Sequence, residues 1–249
     1  MARFGALLCC AALLFVLWTA PASGEVAPFY ADVGLDPGHS YADVGASGSG
    51  LREFELTLDV AQRAKALLEA RGYSVNLTRT DSGPLSAMNN PNTTERIRTE
   101  QEARIAAAGR VRCYVSVHFN GSGDPRLSGT ETYYNPDNDG ERAARLASAL
   151  QRSVVNVLWE AGYQDVDRGV KSDLAAGKPY GHFFGLRGPN TSALVEGLFL
   201  SNPTEAALLR RDEIRQAIAE GYSRGISDFL AGETTGRPAG RSEGEPNSL

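Results

Sequence analysis

Four polar side chains of the 249-residue sequence lie at or near the ends of apolar segments, and their types suit metal chemistry. His39 directly follows "LDPG", His118 lies near the end of "CYVSVHF", and Glu196 interrupts "ALVEGLFL". Glu53 stands at the start of an amphipathic segment with helical spacing. Two imidazoles and one carboxylate are a known ligand set for catalytic zinc, and a further carboxylate can then act as a general base. The residue types therefore predict a metal-dependent hydrolase, without deciding which carboxylate is the ligand.

A simpler interpretation exists for each of these residues taken alone. A histidine at the end of a strand is commonly a hydrogen-bonded surface residue, and Glu53 could simply complement the positive end of a helix dipole. Glu196 is the hardest to explain in this way, because a carboxylate among apolar neighbours is costly to bury without a partner. The zincin motif HExxH, the serine-hydrolase motif GxSxG and the Walker A loop are all absent from the sequence. Their absence argues against three common enzyme classes.

Apolar, strand-like segments alternate with helix-like segments along the chain. The predicted strands cover residues 29–36, 73–79, 111–119, 129–135 and 191–201. The predicted helices cover residues 53–72, a segment ending near 109, residues 140–161 and segments within 203–230. Continuous apolar strands are typical of a sheet that helices cover on both faces. The pattern predicts a single α/β domain with a mainly parallel sheet, in which ligands bind beyond the carboxyl ends of the strands.

The composition limits the partners of the protein. A net charge of −5 and an isoelectric point near 5.3 leave no basic surface for phosphates, so no nucleic-acid partner is expected. Cys9 and Cys10 lie in the N-terminal apolar segment, which leaves Cys113 as the single thiol of the remaining chain. One thiol cannot build a disulfide framework, and Cys113 is expected to be a small buried residue.

The two ends of the sequence differ from the rest. A basic residue, an apolar segment over residues 6–20 and a small-residue pattern at 20–22 predict a secretory signal peptide over residues 1–23. The alternative is an uncleaved anchor, which is disfavoured because the apolar segment is short for a membrane span. Residues 30–231 are expected to fold as one domain, and residues 232–249 to form a disordered tail rich in Gly, Pro, Ser and Glu. No stable membrane insertion is expected once the signal peptide has been removed.

Four segments resemble a known enzyme family in their order and approximate spacing. They are "LDPGHS", "GLREFELTLDVA", "YVSVHFN" and "SALVEGLFLSN". These segments are similar to motifs of the zinc-dependent N-acetylmuramoyl-L-alanine amidases, the Amidase_3 family. The resemblance spans about residues 33–230, and it implies that residues 30–231 are a zinc amidase catalytic domain. It also implies a twisted, mostly parallel sheet flanked by helices on both faces, in agreement with the α/β pattern.

The resemblance assigns a role to each of the four polar side chains. It implies that His39, Glu53 and His118 bind one Zn²⁺ per chain, and that Glu196 is the catalytic carboxylate. Glu55 lies two residues beyond Glu53 and is the alternative ligand.

Three further residues are candidates for contact with a substrate. Asn120 belongs to the Ser-x-His-x-Asn pattern of the family, and Arg187 in "FGLRGPN" could orient a substrate carboxylate. His182 could face the substrate groove. The alternatives are a structural salt bridge for Arg187 and a loop-capping role for His182.

The activity implied by the resemblance is hydrolysis of the amide bond between N-acetylmuramic acid and L-alanine in bacterial cell-wall peptidoglycan. The enzyme would be secreted, periplasmic or associated with the cell wall, with peptidoglycan as its partner. An activator protein is compatible with the sequence, which identifies none. One alternative is a zinc peptidase acting on other exported peptides. The other is a non-catalytic peptidoglycan-binding relative, which the presence of all four side chains disfavours.

Overall fold

A computed structural model describes residues 31–235 of the protein, with the exception of residue 165. The predicted signal peptide over residues 1–23 therefore lies outside the described residues. The last helix continues through Thr235, so residues 232–235, the start of the predicted tail, are helical rather than disordered. Ion pairs of Glu233 with Arg112 and Arg142 hold this last turn against the domain. No helix in the described part of the chain is both long and apolar enough to cross a membrane.

A six-stranded sheet forms the centre of the fold. The strands in chain order are β1 Ala31–Pro37, β2 Ser47–Gly48, β3 Leu51–Arg52, β4 Val75–Leu77, β5 Val111–Asn120, β6 Thr130–Tyr134, β7 Asp167–Ser172 and β8 Ser192–Phe199. β2 and β3 form a small hairpin, and the other six strands lie in the order β4-β1-β5-β8-β6-β7. The strands β4, β1, β5 and β8 are parallel, whereas β6 is antiparallel to β8 and parallel to β7. The predicted α/β class with a mostly parallel sheet is confirmed.

Helices cover both faces of this sheet. They are α1 Glu53–Ala70, α2 Thr93–Ala108, α3 Gly140–Glu160, α4 Pro203–Leu209 and α5 Asp212–Thr235. α1, α3 and α5 bury apolar stripes against one face, where Val33 and Leu35 of β1 join the main core. Gly34 points to the opposite face and leaves room for Ala108 of α2. The alternation along β1 thus assigns the helices to their two layers.

The pattern of the sequence did not predict β7. Its segment "DRGVKS" has no apolar alternation, and Gly169 within it adopts a positive φ of 78°. Among the described strands, β7 lies at the edge of the sheet and pairs only with β6, and it is mostly half-buried. Because an edge strand buries little apolar surface, its sequence carries a weak strand signal.

The two ends of the described chain lie at the same edge of the sheet. Ala31 begins β1 opposite Val111, which begins the parallel strand β5. Near the end of α5, the carbonyl of Leu230 accepts a hydrogen bond from Arg112 at 3.4 Å. This edge contains the amino ends of the parallel strands, so the opposite edge contains their carboxyl ends.

Candidate active site

Three of the predicted site residues meet at the carboxyl edge of the sheet. His39 follows β1, His118 lies near the end of β5, and Glu53 begins α1. The pairing of β1 with β5 brings Pro37 opposite Val117, so that the two histidines become neighbours. Their ring centroids are 4.9 Å apart, with an interplanar angle of 79°. The topology alone therefore joins residues that are far apart in sequence.

Two glycines make room for these side chains. A Cβ atom added to Gly38 would lie 2.4 Å from Cε1 of His118, and one added to Gly45 would lie 2.4 Å from Oε2 of Glu53. Between them, His39 adopts the left-handed conformation with a φ of 63°, which non-glycine residues adopt rarely. The Pro-Gly turn at the end of β1 thus brings His39 over the end of the sheet. Its glycine is also needed because the His118 ring packs directly against it.

A buried arginine holds the turn and the helix start in their relative positions. Arg79 donates to the carbonyls of Pro37 at 3.0 Å, Gly38 at 2.9 Å and Phe54 at 2.7 Å. The hydroxyl of Thr57 in α1 also donates to the Gly38 carbonyl, at 2.7 Å. These bonds connect the segment that carries His39 to the helix that carries Glu53.

The Glu53 carboxylate lies between the two imidazoles. Its Oε1 is 3.0 Å from Nδ1 of His118, and its Oε2 is 3.3 Å from Nε2 of His39. The backbone N–H groups of Phe119, at 3.0 Å, and Ala46, at 2.6 Å, donate to the same two oxygens. The side chain is 3% exposed, so its geometry is fixed by the surrounding chain.

Glu55, the alternative ligand, lies on another face of α1. Its carboxylate pairs with Arg52 on the surface and is 48% exposed. Residues two positions apart on a helix point in different directions, which explains why only Glu53 faces the histidines.

The three side chains fit a divalent metal. One ligand atom from each of His39, Glu53 and His118 lies within 4.8 Å of the others. Ligands bound to one tetrahedral zinc at about 2.0–2.2 Å are separated by about 3.4 Å, close to the distances between Glu53 and the imidazoles. Nδ1 of His39 is 3.0 Å from Oδ2 of Asp43, a contact that fixes the ring and directs Nε2 towards Glu53. The sequence did not indicate Asp43.

The charges in the cluster depend on one another. Burial lowers the pKa of His39, but the neighbouring carboxylates of Glu53 and Asp43 outweigh it and raise the pKa to about 10. Burial lowers the pKa of His118. Burial alone would raise the pKa of Glu53, but the two imidazoles hold it below its usual range. Because a metal binds the neutral imidazole, metal binding would release a proton from His39.

Glu196 lies beside the cluster on β8. It is the cross-strand partner of His118, and both side chains lie on the same face of the sheet. Its Oε2 atom is buried and has no hydrogen-bond partner among residues 31–235 as described. Burial, together with the nearby Glu53 carboxylate, raises the pKa of Glu196 to about 8. A cation held by the cluster would favour the ionised carboxylate and lower this pKa.

A second carboxylate, which the sequence analysis did not identify, lies next to Glu196. Glu131 of β6 is the antiparallel partner of Glu196 and is buried. It accepts hydrogen bonds from Asn120 at 3.1 Å and Arg168 at 2.8 Å, and it also pairs with Lys171. Burial alone would raise the pKa of Glu131, but these donors outweigh it and lower the pKa to about 2. The negative charge of Glu131 is therefore balanced by the positive charges of Arg168 and Lys171.

The site borders a cavity of about 490 Å³ at the carboxyl edge of the sheet. His39, Glu53, Asn120, Lys178 and Glu196 are among the residues that line it. A larger cavity of about 730 Å³ lies near Val111, at the amino edge of the parallel strands, away from the titratable cluster. The smaller cavity is therefore the candidate active site.

Comparison with known proteins decides the family. The sequence pattern of Amidase_3, described as N-acetylmuramoyl-L-alanine amidase, matches residues 33–228. The chain belongs to the Amidase_3 family. This is a metal-dependent family of cell-wall amidases whose substrate is peptidoglycan.

Named relatives agree with this assignment. The endolysin of Bacillus phage SPP1 is 31% identical to this amidase over 221 residues, which cover 87% of this chain and 72% of the endolysin. The germination-specific N-acetylmuramoyl-L-alanine amidase of Bacillus subtilis is 27% identical, over 86% of this chain and 83% of the relative.

A solved structure agrees as well. The CwlD amidase from Clostridioides difficile, determined in complex with the GerS lipoprotein, aligns with a TM-score of 0.67 and 25% identity. The alignment covers 81% of this chain and 98% of CwlD.

The three candidate substrate residues of the amidase have different surroundings. Asn120 lines the cavity, and its amide donates to Glu131. Both ring nitrogens of His182 contact carboxylates, Asp173 at 2.7 Å and Asp137 at 3.0 Å. The guanidinium of Arg187 donates to two backbone carbonyls of its own loop, at 2.6 and 2.7 Å. These contacts favour the loop-capping alternative for His182, and a structural role for Arg187 through backbone hydrogen bonds rather than a salt bridge.

We expect the removal of one partner of a buried ion pair beneath the site to destabilise the amidase strongly. Asp36 is 1% exposed, lies 3.3 Å from Nε of Arg104 and accepts hydrogen bonds from Ser116 and Thr78, both at 2.7 Å. Burial raises the pKa of Asp36, but Arg104 and the two hydroxyls outweigh it, so the net pKa is lowered. Asp36→Asn leaves Arg104 buried without its carboxylate, which should reduce the free energy of unfolding at pH 7 by about 3–5 kcal/mol.

The pH dependence follows from the sign of the pKa shift. A carboxyl whose folded pKa lies below its unfolded pKa stabilises the protein above the unfolded value, and this stabilisation is lost as the pH falls through the folded pKa. Urea unfolding at several pH values should therefore show a difference between wild type and Asp36→Asn that shrinks below about pH 4. Asp212→Asn, at an exposed ion pair with Arg63, is the control with little effect. An equally small effect of Asp36→Asn at pH 7 would contradict the prediction.

Proposed function

We propose that this protein is a zinc-dependent amidase that cleaves the bond between the lactyl group of N-acetylmuramic acid and L-alanine in peptidoglycan. One observation carries the proposal. An ionisable carboxylate, Glu196, presents a buried oxygen without a hydrogen-bond partner among the described residues, beside a cluster of two imidazoles and Glu53. This is the combination of a metal site and a separate proton carrier that metal-assisted hydrolysis requires.

The residues divide the chemistry between them. His39, Glu53 and His118 would hold the zinc ion, and Asp43 fixes the ring of His39 through Nδ1. These residues would thereby provide a Lewis acid that would polarise the scissile carbonyl and acidify water. Glu196 accepts the proton of the attacking water on its carboxylate and delivers it to the departing alanine nitrogen. Its partly apolar surroundings on β8 favour the protonated form needed for the second transfer.

Secretion and the nature of the partners also belong to this proposal. A cell-wall substrate requires an enzyme outside the cytoplasm, which agrees with the signal peptide predicted over residues 1–23. The structure of a relative with the same fold was determined in complex with a lipoprotein. This complex supports the proposal that a domain of this fold can bind a protein partner. We therefore propose a secreted, periplasmic or wall-associated enzyme that acts on peptidoglycan.

A digest of purified peptidoglycan, analysed by mass spectrometry, tests the proposal. The amidase should release free stem peptides that begin with L-alanine and leave intact glycan strands. Treatment with a chelator should stop the release, and added zinc should restore it. Cleavage only within peptides would favour the zinc peptidase, whereas binding without any cleavage would favour the non-catalytic relative.

A further inference from the structure

Side chains of the loop that follows β7 hold this loop in one conformation. Residues 173–187, here called the site loop, begin with the buried Asp173 and its contacts to the His182 ring and the Phe183 N–H. Arg187 closes the loop through the carbonyls of Tyr180 and His182. A loop held in this way presents its side chains in fixed positions.

Aromatic contacts add to this order. The rings of Tyr180 and Phe184 stack at a centroid distance of 4.4 Å. The guanidinium carbon of Arg187 lies 4.4 Å from the centroid of the same Phe184 ring. Gly177 supplies the positive φ of 64° that turns the chain just before Lys178. The ammonium of Lys178 lies 6.0 Å from the centroid of the Phe183 ring. Of the two cationic side chains of the loop, Lys178 and Arg187, Lys178 therefore lies on a supported turn next to the cavity.

Lys178 differs from the other two lysines of the sequence. Lys65 pairs with Glu69, and Lys171 pairs with Glu131. In residues 31–235, as far as they are described, no carboxylate lies within ion-pair distance of Lys178. Yet Lys178 lines the cavity together with Glu196 and influences the pKa of that carboxylate. The positive charge of its ammonium group is thus not paired with any carboxylate among the described residues of the cavity lining.

The other cations close to Glu196 already form ion pairs with another carboxylate. Arg168 and Lys171 both pair with the buried Glu131. Among the described residues that line the cavity, Lys178 is the only lysine or arginine. An ammonium group at the wall of a polar, open cavity suits a carboxylate of the bound molecule.

We propose that Lys178 is a specificity-determining residue that binds a free carboxylate of the stem peptide next to the scissile bond. The inference rests on the proposed function. In the intact substrate the lactyl carboxyl is consumed in the scissile amide, so the free carboxylates of the polymer lie in its peptide. The nearest position that can carry one is the second peptide residue, because the carboxyl of L-alanine is consumed in the next peptide bond. The enzyme therefore distinguishes a free carboxylate at this residue from the corresponding carboxamide.

Two muramoyl peptides that differ only in this group, carboxylate or carboxamide, provide the test. We expect the wild-type enzyme to show a kcat/KM about tenfold higher for the carboxylate, the size of one charged hydrogen bond. Lys178→Met keeps the aliphatic stem and should remove this preference, chiefly by raising KM for the carboxylate substrate. Lys178→Arg should retain part of the preference, and Lys65→Met, at a surface ion pair on α1, should retain all of it.

The outcomes separate the inference from the proposed function. A wild-type enzyme with no preference, or a Lys178→Met variant that loses the same factor on both substrates, would overturn the inference and leave the amidase assignment intact. Cleavage of neither peptide by the wild type, in an assay where a reference amidase cleaves both, would overturn the proposed function and the inference with it. Thermal melting of each variant shows whether it is folded.

Discussion

Replacing Glu196 with Gln is expected to lower kcat about a thousandfold while the zinc content of the protein stays unchanged. The amide keeps the size of the side chain but can neither accept the proton of the attacking water nor return it to the leaving nitrogen. Glu196 lies beside the three candidate metal ligands without being one of them, so these ligands keep their contacts. Release of stem peptide from peptidoglycan and metal analysis of the same sample provide the two measurements.

Glu205 offers a matched control for a second buried carboxylate. It accepts hydrogen bonds from the Gly129 N–H at 2.8 Å and the Tyr163 hydroxyl at 2.7 Å. Glu205→Gln should lower the melting temperature and leave kcat of the folded enzyme within about twofold, because this carboxylate lies outside the cavity lining. Full activity of Glu196→Gln would show that another group carries the proton.

Removal of either cluster histidine is expected to abolish metal binding. The purified protein should contain about one zinc per chain, and His39→Ala and His118→Ala should each contain almost none, since a catalytic site has only three protein ligands to lose. Activity should fall below detection in both variants. Metal analysis after dialysis against a buffer without chelator measures this directly.

The third histidine of the sequence provides the control. His182 contacts Asp173 and Asp137, outside the cluster of candidate ligands. His182→Ala should loosen the site loop but retain zinc. Loss of zinc in His182→Ala, or its retention in His118→Ala, would show that the metal is bound elsewhere.

The sequence predicted most of the sheet because buried strands require continuous apolar segments. β1, β5 and β8 are of this kind, and each was identified near its observed bounds. β7 was missed because an edge strand is only half-buried and tolerates charged residues. The helical start of the predicted tail was not anticipated because the pattern could not show that Glu233 pairs with two arginines from distant segments.

The candidate site was predicted to a similar extent. His39, Glu53 and His118 were identified from their types at or near strand or helix ends, and these three meet in one cluster. Glu196 was identified as a carboxylate within an apolar strand. Glu131 carries the same signal as Glu196, a carboxylate within a buried strand, and that signal could have identified it. Lys178 gave no such signal, because its position depends on contacts of a loop that no local pattern encodes.

The placement of the first and last described residues determines how the domain can be held on a surface. Ala31 and the last turn of α5 lie at the amino edge of the sheet, whereas the cavity lies at the carboxyl edge. The two edges are separated by the length of β5, whose ten residues span about 33 Å.

A tether attached before residue 31 or after residue 235 would therefore leave the catalytic face pointing outward. This orientation matters for a substrate that is a cross-linked mesh, because the mesh cannot diffuse to the enzyme or turn towards it. Immobilisation on beads through either end should consequently preserve access of the wall polymer to the cavity.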